Sequence, residues 1–322
     1  MRHYDIHEPH DFFEYVRVQD GSVPEARHDR IDVGLLDMNH HYVNLGHDAL
    51  VHAVLEAAEP LREELLTSNT KVRVVSFDVR RRSHLPASDR FPIYIGTGGP
   101  GHLDPRLNDG KSEWSQGVTE TADWEAPLFR LFDDILASDE TAMLAVCHSF
   151  GLVCRWSGIA KPVLREEKST GLRMNRLSRE AMQHPWFTRF ARELPDRQHF
   201  HVVDNRLFDL ILVDSRKSMP IAFEAAGSSA LTMVELARDP SGEMPRFLAF
   251  NHHPELVDRE HALEVLDEKR ERHEVSDEWY QERHSTIMTL FGEQERQSRL
   301  TSYYTLLEPL RYHLSRQVSS RT

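Results

Sequence analysis

TAMLAVCHSFG, residues 141–151, decides the fold. The uncharged run TAMLAV reads as a buried strand, and Cys147 stands where that strand gives way to a helix. A strand that turns directly into a helix holds the turning residue exposed at the edge of a sheet. The positive end of the helix favours a thiolate there, and the next N–H, from His148, can meet an oxyanion. Cys147 is therefore the candidate nucleophile.

Working outward, IDVGLLDM (31–38), KVRVVSFDV (71–79) and FPIYIGT (91–97) read as further strands. Between the first two, residues 47–66 keep Leu50, Val51, Val54, Leu55, Ala58 and Leu61 on one helical stripe. A second helix is predicted over 125–137 from Leu128, Leu131, Phe132 and Ile135. This rhythm predicts an α/β fold with an open, doubly wound sheet, whose sites lie at the carboxyl ends of strands.

The second half is less regular. KPVLRE (161–166) reads as a short strand and HPWFTRFARELPD (184–196) as a short helix ended by Pro195. HFHVVD, LFDLILVD, PIAFEAA and RFLAFNH read as successive strands, several of them antiparallel, which makes the sheet mixed. Residues 1–30 are polar and read as an N-terminal arm or irregular cap. Residues 31–256 form the main domain, and 257–322 a C-terminal helical extension of two or three helices. Leu263, Leu266, Met288, Phe291, Tyr304, Leu307 and Leu310 supply that extension's apolar faces, which cap the core or offer a surface for a homo-oligomer or partner.

With 322 residues and 39% hydrophobic content, the chain can bury a sizeable core. A formal charge of −13 argues against a general binder of nucleic acid or anionic membrane, since both need a basic surface. No apolar run approaches the roughly 18 residues of a membrane span, and the N-terminus lacks a basic-then-apolar leader, so a cytoplasmic location is expected. The two cysteines make no disulfide framework. Seven residues along one helix separate Cys147 from Cys154 by about 10 Å, beyond the roughly 7 Å between Cα atoms that a bridge tolerates. Cys154 reads as a small buried apolar residue.

At 91–101 the chain reads FPIYIGTGGPG, a strand running into Gly96, Gly98, Gly99 and Gly101. Such a loop aims bare N–H groups at an anionic centre, a phosphate or an oxyanion. No GKS or GKT ending follows and no GxGxxG opens a helix, which weighs against phosphate. Cys147 selects the oxyanion, with donors from Gly99 and His148. In FNHHPEL (250–256), Pro254 keeps His253 extended, and Glu255 can reach back to fix the imidazole tautomer. No cofactor is implied. His3, His7 and His10 lack a recognised ligand spacing, and the adjacent pairs His40–His41 and His252–His253 point to opposite faces on an extended segment, so no metal site is assigned. The VRRRSH run (79–84) reads as a solvated loop.

GGPG at 98–101, Cys147 at its elbow and His253-Pro254-Glu255 occur in the order and approximate spacing of class I glutamine amidotransferase domains, which residues 31–256 resemble. The resemblance implies a Rossmann-like fold and a Cys147-His253-Glu255 triad. It further implies a glutamyl-thioester intermediate that releases ammonia, small-molecule amide substrates such as glutamine, and a separate ammonia-accepting synthetase. It places Gly98, Ser149 and Gly151 around the substrate. The family elbow reads Gly-x-Cys-x-Gly-x-Gln, whereas this chain has Ala145, Ser149 and Gly151 where that pattern has Gly, Gly and Gln. Loss of the glutamine side chain leaves thiol chemistry better marked than the substrate. Two other readings fit the residues: an inactive binding or regulatory subunit on the same fold, and an acyl transferase akin to homoserine acyltransferases.

Overall fold

The computed structural model describes residues 5–8, 10–42, 44–225, 229–256, 259–273, 275–290 and 295–321. His3 and Phe291 lie outside them. In chain order the strands are β1 (Phe13–Arg17), β2 (Arg30–Asp37), β3 (Lys71–Asp78), β4 (Ile93–Gly96), β5 (Ala142–Val146), β6 (Ala160–Leu177), β7 (His199–Leu212), β8 (Met219–Glu224), β9 (Ala230–Arg238) and β10 (Pro245–Phe250). The helices are α1 (Gly46–Ala58), α2 (Arg62–Thr67), α3 (Val79–Arg82), α4 (Glu125–Ala137), α5 (His148–Ser157), α6 (Pro185–Glu193), α7 (Arg259–Glu271), α8 (Asp277–Leu290), α9 (Glu295–Ser302) and α10 (Glu308–Ser319).

The fold is mixed α/β. One sheet runs in the order β1-β3-β2-β4-β5-β10-β9-β7-β6-β8, and β8 also pairs with β9, so the last four strands close on themselves. Strands β1 to β5 and β10 pair in parallel, whereas β6 to β9 are antiparallel. β10 joins the halves, parallel to β5 and antiparallel to β9. Central strands such as AMLAV in β5 are buried along their whole length, which is why they read as continuous apolar runs rather than alternations.

Alternate residues of these strands feed two cores on opposite faces of the sheet. Val33, Leu35, Leu144 and Phe250 pack with Leu50 and Val54 of α1 and Leu310 and Leu314 of α10. Leu36, Phe77, Met143 and Phe247 pack with Phe132 of α4 and Phe150 of α5. The helix expected over 47–66 is broken by Pro60 into α1, a short 3₁₀ turn and α2, whereas α4 occupies the predicted residues.

Several expectations need correction. Within the segment read as an irregular arm, β1 adds to the sheet edge beside β3, with Phe13 fully buried. KPVLRE is the start of an 18-residue strand, because the polar residues after it still pair with β7. HFHVVD and LFDLILVD are one strand, β7, and β9 went unread. In the extension Leu266, Leu307 and Leu310 are buried, but Met288 is exposed.

α7 is pinned to α1 by buried ion pairs. Lys269 Nζ lies 2.7 Å and Arg272 3.3 Å from Asp48, and Glu268 lies 3.3 Å from His52. Burial opposes ionisation of Asp48, but His47 and Lys269 outweigh it and hold the carboxyl well below its ordinary range. This contribution is complete above the unfolded-state pKa of about 4 and is lost as pH falls toward the depressed folded value. Replacing Lys269 by Met should cost on the order of 3 kcal/mol at neutral pH. Thermal melting of the variant and wild type between pH 7 and pH 2 checks this, the difference shrinking at the acid end.

Candidate active site

Cys147 follows β5 directly and has φ 49° and ψ −101°. That backbone conformation costs a non-glycine residue about 1–3 kcal/mol. Ladder and helix hold it from both sides: the Cys147 N–H donates to Phe250 O at 2.8 Å, and the Gly151 N–H to Cys147 O at 3.0 Å. The thiol is half-buried and lies 3.8 Å from Asn205 O. His148 opens α5, where the first N–H groups have no intrahelical acceptor. Its ring is fully buried, and desolvation keeps it neutral by holding its pKa well below that of free imidazole.

The glycine loop fits against the elbow with no space for side chains. A Cβ on Gly98 would lie 3.0 Å from His253 Cε1 and 3.4 Å from Cys147 Cβ, and one on Gly99 would lie 2.2 Å from Met38 O. Thr97 Oγ1 accepts from Met38 N at 2.9 Å and donates to Gly98 O at 2.8 Å. Arg80 then donates to Met38 O at 2.9 Å and Pro100 O at 2.6 Å, while its other nitrogens grip Glu120 at 2.5 and 3.0 Å. The VRRRSH run is thus not wholly a solvated loop: Arg80 is buried and braces the loop from behind.

The third part follows β10. His253 N–H donates to Val203 O at 2.8 Å, and His253 Nδ1 meets Glu255 Oε1 at 2.7 Å. Nε2 is buried, meets no nitrogen or oxygen partner among the described residues, and has the Cys147 side chain as its neighbour. Burial works against protonation of His253, but the Glu255 charge and the neighbouring Cys147 side chain outweigh it, and the pKa rises well above its ordinary value. Glu255 is buried, and only a glycine at 46 leaves it room, since a Cβ there would lie 3.1 Å from Oε1. His252 is the packing residue of the pair. Its ring centroid lies 5.2 Å from that of Phe250, and desolvation pushes its pKa down to about 3.

No protein-family model and no curated protein matches the chain. Among solved structures, a glutamine amidotransferase from Thermotoga maritima superposes with a TM-score of 0.52 at 13% sequence identity, over 91% of this chain and 99% of that one. This chain has the glutamine amidotransferase fold. A glutamine amido transferase from Methylobacillus flagellatus matches with a TM-score of 0.46 at 13% identity, over 90% of this chain and 95% of that one.

On this glutamine amidotransferase fold, a cavity of about 320 Å³ opens onto Cys147 and His253. Gly98, Gly99, His148 and Gly151 line one side. The opposite wall is the β6–β7 pair, through Lys168, Thr170, Asn205, Arg206 and Phe208, and α8 contributes Trp279 and Arg283. Sequence reading missed this wall, because its residues carry no local motif. Gly151 leaves its space to Leu103, whose Cδ2 would lie 2.4 Å from an added Cβ. Ser149, expected beside the substrate, is instead fully buried, because its hydroxyl donates to Thr97 O at 2.7 Å below the loop.

The two thiols differ in access. Cys154 is fully buried, and desolvation raises its pKa well above the ordinary value. Iodoacetamide should modify Cys147 and spare Cys154 in the folded protein, with both reacting after denaturation; peptide mass mapping reads the sites.

Proposed function

We propose that this chain is a cysteine-dependent amidase or amidotransferase working through a thioester. The observation that carries the reading is His253, tied to a buried Glu255 through Nδ1 and coupled to the Cys147 side chain. A base oriented by a carboxylate on one nitrogen and presenting the other to the thiol is what an activated nucleophile needs. Cys147 first gives its proton to His253, whose raised pKa favours holding it, and Sγ then attacks the amide carbonyl. The tetrahedral oxyanion is held by the N–H groups of Gly99 and His148, where one donor is worth on the order of 3 kcal/mol of barrier. Collapse breaks the C–N bond, and His253 returns the proton to the departing amine. Water then cleaves the thioester and regenerates the thiol. Glu255 holds the imidazole and balances its positive charge.

On this reading a Rossmann-like, doubly wound unit over 31–256 carries the chemistry, and 257–322 is an extension. The amine leaves as ammonia when the substrate is a primary amide such as glutamine, for use by a separate synthetase. Leu103 in the space beside Gly151 favours a substrate held differently from glutamine in the family pattern.

Cys147→Ala should lower ammonia release from L-glutamine or another turned-over primary amide by at least about 10³-fold. Undiminished turnover in that variant would sink the mechanism. Glu255→Gln should lower kcat by on the order of 10⁴-fold, as loss of an orienting carboxylate does in related triads. Without the Glu255 charge, burial dominates and the His253 pKa falls, which NMR titration of the imidazole reads directly.

A further inference from the structure

The carboxyl end of the sheet carries a second cavity beside the one over Cys147. It lies where β1 ends at Arg17 and β2 at Asp37, encloses about 470 Å³, and reaches α1 and α7 through His47, Asp48 and Lys269. Carboxyl ends of strands are where sheets of this kind hold ligands. Asn39, Tyr42 and Asn44 line both cavities, so the two share a wall. Among the described residues the lining of the second includes neither Cys147 nor His253, and no aliphatic side chain.

Its charges cancel in place. Arg17 Nη2 lies 2.8 Å from Asp37 Oδ2 and Lys269 Nζ 2.7 Å from Asp48 Oδ2, so each of these cations is matched by a carboxylate of the same lining. His47 donates Nδ1–H to Asp48 at 2.7 Å and meets Ser76 Oγ through Nε2 at 2.9 Å. An anion entering here meets Asp37 and Asp48, and a cation meets Arg17 and Lys269. Neither gains from the charges. Hydrogen-bonding capacity nonetheless remains. Arg17 reaches Asp37 through Nη2 alone, and its other N–H groups have no partner among the described residues. Asn39 donates Nδ2–H to Asp37 at 2.8 Å, which leaves its carbonyl oxygen to accept. The Tyr15 hydroxyl lies 3.5 Å from His47 Nε2, too far for a full bond to an atom that Ser76 already engages. Burial pushes the pKa of that hydroxyl up, so it remains an O–H donor.

We propose that this cavity binds an uncharged, hydroxyl-rich small molecule such as a monosaccharide, with Arg17 and Asp37 meeting adjacent hydroxyls and Tyr15 and Asn39 meeting others. A hydroxyl both donates and accepts, so it can satisfy a wall in which donors and acceptors stand side by side. An apolar ligand finds no aliphatic side chain here against which to bury its surface. The Tyr42 ring, 54% exposed on the shared wall, offers a face to the C–H side of a sugar ring. The volume falls within the roughly 300–1,000 Å³ of small-molecule sites. Binding here is separate from the amide chemistry and does not rest on Cys147 being a nucleophile.

The test is saturation-transfer NMR on the full chain with D-glucose, D-galactose, D-ribose and myo-inositol, each at about 10 mM, which fills a site even of millimolar Kd. At least one of the four should receive saturation from the wild type. Tyr15→Phe, which keeps the ring, and Arg17→Gln, at a side chain 39% exposed, should each weaken that binding about fivefold to tenfold, the scale of one lost hydrogen bond. Thermal melting checks that both variants fold, and Cys147→Ala should bind as the wild type does. No transfer to any of the four would overturn the proposal, as would binding that both variants leave unchanged while melting cooperatively. Inorganic phosphate, followed by its phosphorus NMR line width, should not bind. Phosphate binding that is lost in Arg17→Gln would overturn the uncharged class in favour of an anion site.

Discussion

The hydrogen bond from the Cys147 N–H to the Phe250 carbonyl extends the parallel ladder of β5 and β10 by one step, and the candidate site is organised around it. β10 is the seam between the parallel and antiparallel halves of the sheet. The pairing sets where β5 ends, hence where the thiol emerges, and where β10 ends, hence where His253 begins its turn. Backbone registry thus sets where thiol and imidazole begin, and Glu255 then orients the ring. The glycines at 96, 98 and 99 let a third strand end approach the same point, and Arg80 holds that approach from below.

What was legible in the sequence follows from this arrangement. Central strands with both faces buried must be apolar throughout, so residues 31–38, 71–79 and 141–146 announced themselves. The glycine loop, Cys147 and His253-Pro254-Glu255 were readable because tight turns demand particular residues at fixed offsets. What escaped notice lacks such local demands. β6 runs on past an irregularity after Leu164 through STGLR, a stretch whose strand geometry comes from pairing with β7. Arg80 looks like its neighbours Arg81 and Arg82, and only the tertiary fold shows that it alone is enclosed. Ser149 sits two residues from Cys147 but turns into the core, where its hydroxyl donates to the Thr97 carbonyl below the loop.

The extension is legible as helices and illegible as a participant. Its charged residues suggest a solvated surface, but several are committed: Lys269 and Arg272 to Asp48, Glu268 to His52, and Tyr280 to Asp267. These contacts fasten α7 to α1 and α8 to α7. Because α1 packs on the core that also holds β2 and β5, the placement of Trp279 and Arg283 over the cavity is inherited from the main domain.

The left-handed backbone at Cys147 bears on how such a chain changes over generations. Glycine would occupy that position without strain, so selection for stability alone pulls residue 147 toward glycine by roughly 1–3 kcal/mol. A lineage that turned this fold into a pure scaffold would gain stability first by a change at residue 147.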